Sequence, residues 1–273
     1  MCAGGLRAPT RGECDRVEAM LIDIHAHTSR YSSCAHATPE EMVEAAIGAG
    51  LQAIVFTEHH VAWPLRELRE LRHSYLGIRI LRGIEATSDQ GRADILAIGV
   101  PDACIIEREM RPHALMRRIH EAGGVGVLAH PFRLAPHIPA EFLLEPPDAY
   151  ELMSLNMPSF ARRRAATLEA ALPSAWPVAA SDAHVALALG AYAIDTDQDV
   201  ANEAELAAAI REGAFRMCVD QRRLHERYPH WQRIQERVRA LDEQGAPYRR
   251  IRKETGYTRA IVRHVLSGGD LVR

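Results

Sequence analysis

The sequence lacks any apolar run near the roughly 18 residues that a membrane-spanning helix needs. Residues 1–19 also lack the apolar segment of a secretory signal peptide. The five cysteines are odd in number and include no Cys-x-x-Cys pair, which argues against a disulfide framework and against a structural zinc site. These absences exclude a membrane role and predict a cytoplasmic protein with reduced thiols.

Charge is distributed unevenly along the chain. Residues 221–273 contain 13 arginines or lysines against 6 acidic residues, a net charge of +7, which leaves −10 for residues 1–220. We therefore expect a main domain at 20–220 and a basic helical tail at 221–273. Residues 1–19 precede a second candidate start at Met20, and we expect them to be disordered or to be a mis-annotated start. Because Lys253 is the only lysine, an arginine-rich composition of the whole chain is an alternative explanation for the tail.

Short apolar runs alternate with helix-like segments over the first 220 residues. Seven runs that end in polar residues predict buried strands, beginning near positions 21, 52, 78, 94, 125, 149 and 176. Thr38 and Pro39 predict the start of a helix that stops at Gly50. Similar helical patterns cover about 64–73, 108–122, 158–171 and 202–211. This order favours parallel strands closed as an α/β barrel, in which reactive residues gather at the C-terminal ends of the strands.

The strongest local motif is Asp23-Ile24-His25-Ala26-His27-Thr28, at the end of the first predicted strand. Residues two apart on a strand face the same side, so His25 and His27 are able to hold one metal ion. Later strand ends repeat this chemistry with Glu58-His59-His60, Glu85, His130, and Asp182 with His184. Any one of these is more often a solvated loop residue or a buried, hydrogen-bonded histidine. Together they indicate a centre for zinc, manganese or iron.

The order DxHxHT, T(E/D)H, GxE, HP and SDxH resembles the PHP family, named for polymerase and histidinol phosphatase, over roughly residues 20–200. The resemblance implies a distorted (β/α)7 barrel that binds two or three divalent ions and hydrolyses phosphate esters. To this barrel the tail would add a small all-helical appendage. By the same resemblance, His25, His27 and Asp182 hold one ion. Glu85 bridges it to a second ion on His130, and His59 and His184 help to hold a third.

Three positions depart from the family pattern. Asp94 stands where many relatives have a histidine ligand, and it either replaces that ligand or faces solvent. Cys34, His36 or neither fills the place of an Asp or His ligand that usually follows HxHT. Glu58 stands where Asp is more common, and it is placed to orient a ligand histidine.

The expected activity is hydrolysis of a small phosphorylated metabolite or nucleotide by a hydroxide that bridges two ions. His184 or His59 would protonate the leaving group, and the catalytic set is His184, His59 and Asp182. Arg133, with Arg92 behind it, would bind the substrate phosphate. Asn156 would line the pocket. The alternatives are surface salt bridges for the two arginines and a strand-end turn for Asn156.

The tail from Leu241 onward resembles a helix-turn-helix. Ile251 would lie in the core of its first helix, Gly256 would make the turn and Thr258 would cap a second helix that buries Ile261, Val262 and Val265. Arg252 departs from this pattern, because a small residue is usual there, and it would have to bend out to solvent. Exposed Arg259 and Arg263 would contact DNA phosphates. The alternative is a helical hairpin that packs on the barrel or on a second subunit.

Two further functions stay open at this point. One is a nuclease of the same chemistry, guided to DNA or RNA by the basic tail. The other is a DNA-binding regulator without catalysis, which the nearly complete set of ligand-type residues disfavours. The sequence does not predict the oligomeric state, the metal or the substrate.

Overall fold

The computed structural model of the chain describes residues 20–88, 93–101, 106–108, 110–133, 135–224, 230–255 and 259–271. The expectations for residues 1–19, Arg92, Gly256 and Thr258 lie outside these residues.

One mixed sheet is the centre of the fold. Its strands are β1 (Met20–Ala26), β2 (Ala53–Phe56), β3 (Arg79–Ser88), β4 (Ala93–Ile98), β5 (Val125–Ala129), β6 (Ala149–Met153), β7 (Trp176–Ala179), β8 (Tyr192–Thr196) and β9 (Phe215–Val219). Strands β1 to β7 lie side by side in chain order, and β8 and β9 extend the sheet beyond β1. Because β7 lies against β9, the sheet nearly closes into a barrel.

Helices cover the barrel and form the tail. They are α1 (Pro39–Gly48), α2 (Leu65–Ser74), α3 (Pro112–Glu121), α4 (Ser159–Ala165), α5 (Leu168–Ala171), α6 (Glu203–Glu212), α7 (His230–Glu243), α8 (Tyr248–Thr255) and α9 (Arg259–Leu266). The predicted start of α1 is confirmed, because Thr38 and Glu41 cap each other through reciprocal bonds from side chain to backbone. Past its end, Gly50 adopts a φ of 75°, which is unfavourable for other residues. No helix within the described ranges has the length and apolar character to cross a membrane.

The predicted α/β barrel with a helical appendage is confirmed, but the prediction of parallel strands throughout is wrong. Strands β1, β2 and β3 are parallel, as are β5, β6 and β7, whereas β4 is antiparallel to both β3 and β5. Only residues 89–92 separate β3 from β4, too few for the crossover that parallel neighbours need. Strands β8 and β9, which the apolar runs did not predict, are antiparallel to each other, and β8 is antiparallel to β1.

The reversal of β4 has a consequence for the position of its first residues. Asp94 pairs with Thr87 of β3 and with Ala129 of β5, so it lies beside the C-terminal end of β5. The C-terminal ends of the parallel strands and the start of β4 therefore lie together at one rim of the barrel. Beneath that rim, apolar residues such as Ile24, Val55 and Val127 join Leu206 of α6 in a buried core.

The tail has a small core of its own and is docked on the barrel. Ile251, Ile261, Val262 and Val265 are buried in it and Arg252 is exposed, as predicted. Phe160 of α4 packs against this cluster. The Ser159 amide donates to the Leu271 carbonyl at 3.1 Å. The described part of the tail thus packs on the barrel, and the helix-turn-helix remains a prediction.

Candidate metal centre

Side chains from several strands converge at the rim described above. They are His25 and His27 of β1 and its end, His59 after β2, Glu85 of β3, Asp94 of β4, His130 after β5, and Asp182 and His184 after β7. All are buried except His59 and His184, which are partly exposed. Residues that lie up to 159 positions apart in the sequence are thereby brought into contact.

The innermost group contains two imidazoles and two carboxylates. His25 Nε2 and His27 Nε2 are 3.0 Å apart. Asp182 Oδ1 lies 3.3 Å from each of these nitrogens, and Glu85 Oε2 lies 3.6 Å from His25 and 3.3 Å from His27. Four ligands at about 2.0–2.1 Å from a tetrahedral ion are separated by about 3.3 Å. The spacing therefore suits donors directed at one divalent ion.

Two oxygen atoms in this group test the fit further. Glu85 Oε2 and Asp182 Oδ1 are buried and have no hydrogen-bond donor in good geometry. An unsatisfied buried carboxylate oxygen is costly, since it has lost its hydration without gaining a partner. A bound cation would satisfy both atoms, so the residues present fit a divalent metal.

A second group lies on the other side of Glu85. His130 Nε2 lies 2.9 Å from Glu85 Oε1 and 3.7 Å from Asp182 Oδ2. Asp94 Oδ2 is 3.9 Å from His130 Nδ1, and the Asp94 side chain is only 10% exposed. Glu85 thus offers one oxygen to each group, which is the arrangement expected of a bridging carboxylate. Asp94 joins the second group because β4 runs in the opposite direction to its neighbours.

A third group surrounds the outer side of His27. The rings of His59 and His184 each lie 4.4 Å from that of His27, and one nitrogen of each of the three rings is within 4.8 Å of the others. Cys34 Sγ is 3.3 Å from His59 Nε2. The His36 side chain is exposed, and it belongs to none of the metal-type groups found among the described residues. Of the two alternatives in the sequence, Cys34 is the one in contact with this group.

The pKa values at the centre share one physical cause. Burial favours neutral carboxyl groups, yet the His25 charge and the hydrogen bond from His130 hold the pKa of Glu85 well below its ordinary value. Burial lowers the pKa of His25, but Asp182, Glu151 and Glu85 outweigh it and raise that pKa well above its ordinary value. The buried carboxylates therefore require positive charge nearby, which protons or metal ions supply equally well.

Two glutamates hold the histidines in place. Glu151 Oε1 lies 2.7 Å from His25 Nδ1, and Glu151 Oε2 accepts a hydrogen bond from the His130 amide at 2.7 Å. Glu58 accepts a hydrogen bond from Ser32, whose hydroxyl lies 3.2 Å from His27 Nδ1. Such partners fix the ring orientation and leave Nε2 directed at the metal. Glu58 thus orients His27 through Ser32.

The roles of Glu151 and Ser32 were missed by sequence reasoning. A glutamate inside the apolar run Ala149–Met153 was the available signal for Glu151. Ser32 carries no comparable signal, because serine is common in loops.

Backbone strain is concentrated at the same rim. The four non-glycine residues with positive φ among the described residues are His60 (56°), His130 (27°), Phe132 (66°) and Asp182 (50°). Such conformations cost about 1–3 kcal/mol each and persist where the surrounding structure holds them. Here they belong to the turns that follow strand ends and direct side chains into the centre.

The predicted substrate-binding residues lie beside the second group. Arg133 Nη1 is 3.4 Å from His130 Nε2 and 3.7 Å from Asp182 Oδ2. Asn156 donates a hydrogen bond to Asp182 Oδ2, so it positions this carboxylate as well as lying at the site. Arg259 and Arg263 are exposed on α9 and belong to none of these groups.

Comparison with known proteins gives a family match and related chains. The model of the PHP domain matches residues 23–205. A protein of Edwardsiella ictaluri (strain 93-146) named "probable phosphatase" is 28% identical over 203 residues, which is 63% of this chain and 81% of that protein. The range matched by the PHP domain model, 23–205, includes every residue of the three groups.

Two solved structures are similar in fold. PsfC from Pseudomonas syringae PB-5123 has a TM-score of 0.54 at 15% identity and covers 76% of this chain and 94% of its own. The lesion-specific endonuclease PfuEndoQ from Pyrococcus furiosus has a TM-score of 0.52 at 17% identity, over 73% of this chain and 57% of its own. At these identities the likeness concerns the fold alone.

Proposed function

The chain belongs to the PHP domain family, and on that premise we propose that it is a metal-dependent phosphoesterase acting on a small phosphorylated metabolite or nucleotide. The observation that carries the proposal is the pair of buried oxygens without a well-oriented hydrogen bond, Glu85 Oε2 and Asp182 Oδ1, which are surrounded by imidazole nitrogens at 2.8–3.6 Å. A centre built around such atoms is suited to cations.

In this proposal the metal ligands are the three groups of side chains described above. His25, His27 and Asp182 would hold one ion, His130 and Asp94 would hold a second, and Glu85, which offers one oxygen to each group, would contribute to both. His59, His184 and Cys34 would hold a third ion where one binds, and His36 would lie outside this set. When bound, divalent ions supply a nucleophilic water at neutral pH and positive charge for the phosphoryl oxygens.

Arg133 is the residue that recognises the phosphate in this proposal. Its guanidinium lies within 3.7 Å of the Asp182 carboxylate and is 35% exposed, so it is open to an incoming ligand. A guanidinium binds two phosphate oxygens at once, which fixes the orientation of the group as well as its position.

When no third ion is bound, His184 is the better candidate for proton transfer to the leaving group, because an imidazole nitrogen that binds a metal ion carries no proton to give. The Asp182 carbonyl, which only accepts, lies 3.0 Å from His184 Nδ1, so that nitrogen carries a proton and Nε2 presents the second position. His59 has one nitrogen 2.8 Å from Glu85 and the other 3.3 Å from Cys34, so both of its positions are engaged.

The test is phosphate release from nucleoside monophosphates, sugar phosphates and short single-stranded oligonucleotides, with added manganese. We expect release from a small monoester that depends on the metal and falls about 1,000-fold in Asp182→Ala, a barrier change of about 4 kcal/mol.

Asp242→Ala is the matched control, because Asp242 is exposed on α7, and it should leave the rate unchanged. Hydrolysis that needs no divalent ion, or that survives Asp182→Ala, would contradict the proposal. Cleavage of oligonucleotides alone would favour a nuclease of the same chemistry.

A further inference from the structure

A shallow groove that is largely open to solvent, with a volume of about 880 Å³, lies between α4 of the barrel and α9 of the tail. It exists because the tail is docked on α4 through Phe160 and the backbone of Leu271. Its walls come from two different parts of the chain, so neither part contains the groove by itself.

The groove is lined by positive charge. Arg163 and Arg164 of α4 face it from one side and Arg263 of α9 faces it from the other, and no acidic residue is part of its lining. Arg263 is exposed, and within the described ranges no carboxylate forms an ion pair with it. Cations gathered in a concave surface concentrate anionic ligands there.

Aromatic rings accompany these cations. Phe160 and His264 line the groove, their ring centroids are 5.0 Å apart, and both side chains are partly exposed. Arginines that follow a phosphate backbone, together with rings on which bases stack, are the combination that binds single-stranded nucleic acid. A small phosphate ester would use the cations but would leave the rings and most of this volume without a contact.

Contacts connect the groove to the metal centre. The Arg164 guanidinium lies over the Phe132 ring, 5.6 Å from its centroid. Phe132 has a φ of 66° and precedes Arg133, whose Nη1 is 3.4 Å from His130 Nε2. One residue of the groove lining, Arg164, is therefore linked through Phe132 to Arg133, the residue that we assign to phosphate binding.

We propose that this groove binds the backbone and bases of single-stranded nucleic acid and directs one end of the strand to the metal centre. The binding step is independent of the proposed phosphoesterase activity, and only the delivery of the strand end rests on it. Arg259, on the same helix but not part of the lining, is not required.

The test is fluorescence anisotropy with the full-length, manganese-loaded protein. The probes are DNA and RNA strands of about 12 nucleotides with phosphorothioate linkages, which resist cleavage. We expect saturable binding that weakens with salt. Arg263→Gln and Arg164→Gln should each weaken it about fivefold at about 0.1 M salt, because one phosphate contact on a single strand contributes a salt slope of about 0.7.

Arg239→Gln is the matched control, since Arg239 is exposed on α7 of the same basic tail but lies outside the groove. It should change affinity less than twofold. An equal loss in Arg239→Gln would mean that only the overall charge of the tail matters, and absence of saturable binding to both probes would mean that the groove has another role. Either result overturns the proposal.

Hydrolysis of a small monoester by the wild type is measured in parallel. Hydrolysis without strand binding leaves the phosphoesterase proposal standing and overturns this one. Strand binding without any hydrolysis overturns the phosphoesterase proposal and leaves this one standing.

Discussion

The metal centre and the basic tail differ in how their residues are held. At the centre, Glu85 and Asp182 are 1% and 3% exposed, and each contacts several partners from other strands. In the tail, Arg259 and Arg263 are exposed on one helix. A buried charge needs a specific partner, whereas an exposed arginine is tolerated with or without one. The buried charges of the centre therefore indicate its function more specifically than the exposed charges of the tail indicate a function there.

The largest effect that we expect, and the one that tests this contrast most directly, is that of Glu85→Gln. The amide has almost the same shape as the carboxylate, but it removes the negative charge that faces His25, His27, His59 and His130. We expect the purified protein to lose at least one ion per chain by elemental analysis, and phosphate release to fall about 1,000-fold.

Glu70→Gln provides the control for this change. Glu70 is 64% exposed on α2 and forms an ion pair with Arg66, and exposed pairs of this kind contribute about 0–1 kcal/mol. Metal content and rate should stay at the wild-type level. If Glu85→Gln keeps its full metal content, the buried charge is not what defines the centre, and the comparison fails.

A smaller effect is expected from a cavity in the tail. Ile251 is 1% exposed in the tail core, and Ile251→Ala should destabilise this region by about 2–4 kcal/mol. Hydrogen exchange should become faster in α7, α8 and α9 but not in β1 to β7, and hydrolysis of a small monoester should change less than twofold. This result would show that the stability of the tail and the catalytic activity of the barrel are independent.

Ile47→Ala, at a position 47% exposed on α1, is the matched control and should leave exchange in the tail unchanged. Faster exchange throughout the barrel in Ile251→Ala would instead mean that barrel and tail unfold as one unit. The two regions would then not be separable in stability.

The same contrast decides how much of the fold was readable from the sequence. Strands β1 to β7 were predicted because most of their residues are buried and they appear as apolar runs, although β7 begins at the exposed Trp176. The antiparallel direction of β4 was missed although the sequence held a signal for it, because the connection between the third and fourth apolar runs is too short for a parallel crossover. Strands β8 and β9 were missed because a residue such as Asp195 interrupts the apolar pattern of β8, and β9 is only partly buried.

At the centre, the sequence predicted the residues whose chemistry is rare in strand ends. Histidines and acids at His25, Glu85 and Asp182 are unusual enough to be recognised without a structure. No role was predicted for Ser32 or for Glu151, although Glu151 lies in the segment ELMSLN that resembles the family, because their roles follow from contacts with residues 5 and 126 positions away. The direction of β4 also decided whether Asp94 faces the centre or solvent. Contacts between residues distant in the sequence are set by the packing and are not visible in the local sequence pattern.

The outer edge of the centre contains side chains that belong to the site but are exposed like the tail arginines. A change there gives the smallest effect that we expect. Cys34 is exposed, as is His36, so burial does not decide between them. Neither residue belongs to the metal-type groups of the described residues, but the Cys34 side chain contacts one of them, with Sγ 3.3 Å from His59 Nε2, whereas the contact found for His36 in the described ranges is from its backbone amide to the His184 carbonyl. We therefore expect Cys34→Ser to weaken binding of the outermost ion about tenfold and His36→Ala to leave it unchanged.

Cobalt substitution provides a readout that is independent of activity. A thiolate bound to cobalt gives a sulfur-to-metal charge-transfer band, which should be present in the wild type and in His36→Ala but absent in Cys34→Ser. A band that persists in Cys34→Ser would exclude the thiol as a ligand, and a loss of metal in His36→Ala would assign the position to the imidazole instead. In either case contacts alone would not identify the ligands at the exposed edge of the centre, just as sequence alone does not identify the function of the tail arginines. Only the assignments of the buried inner groups would remain.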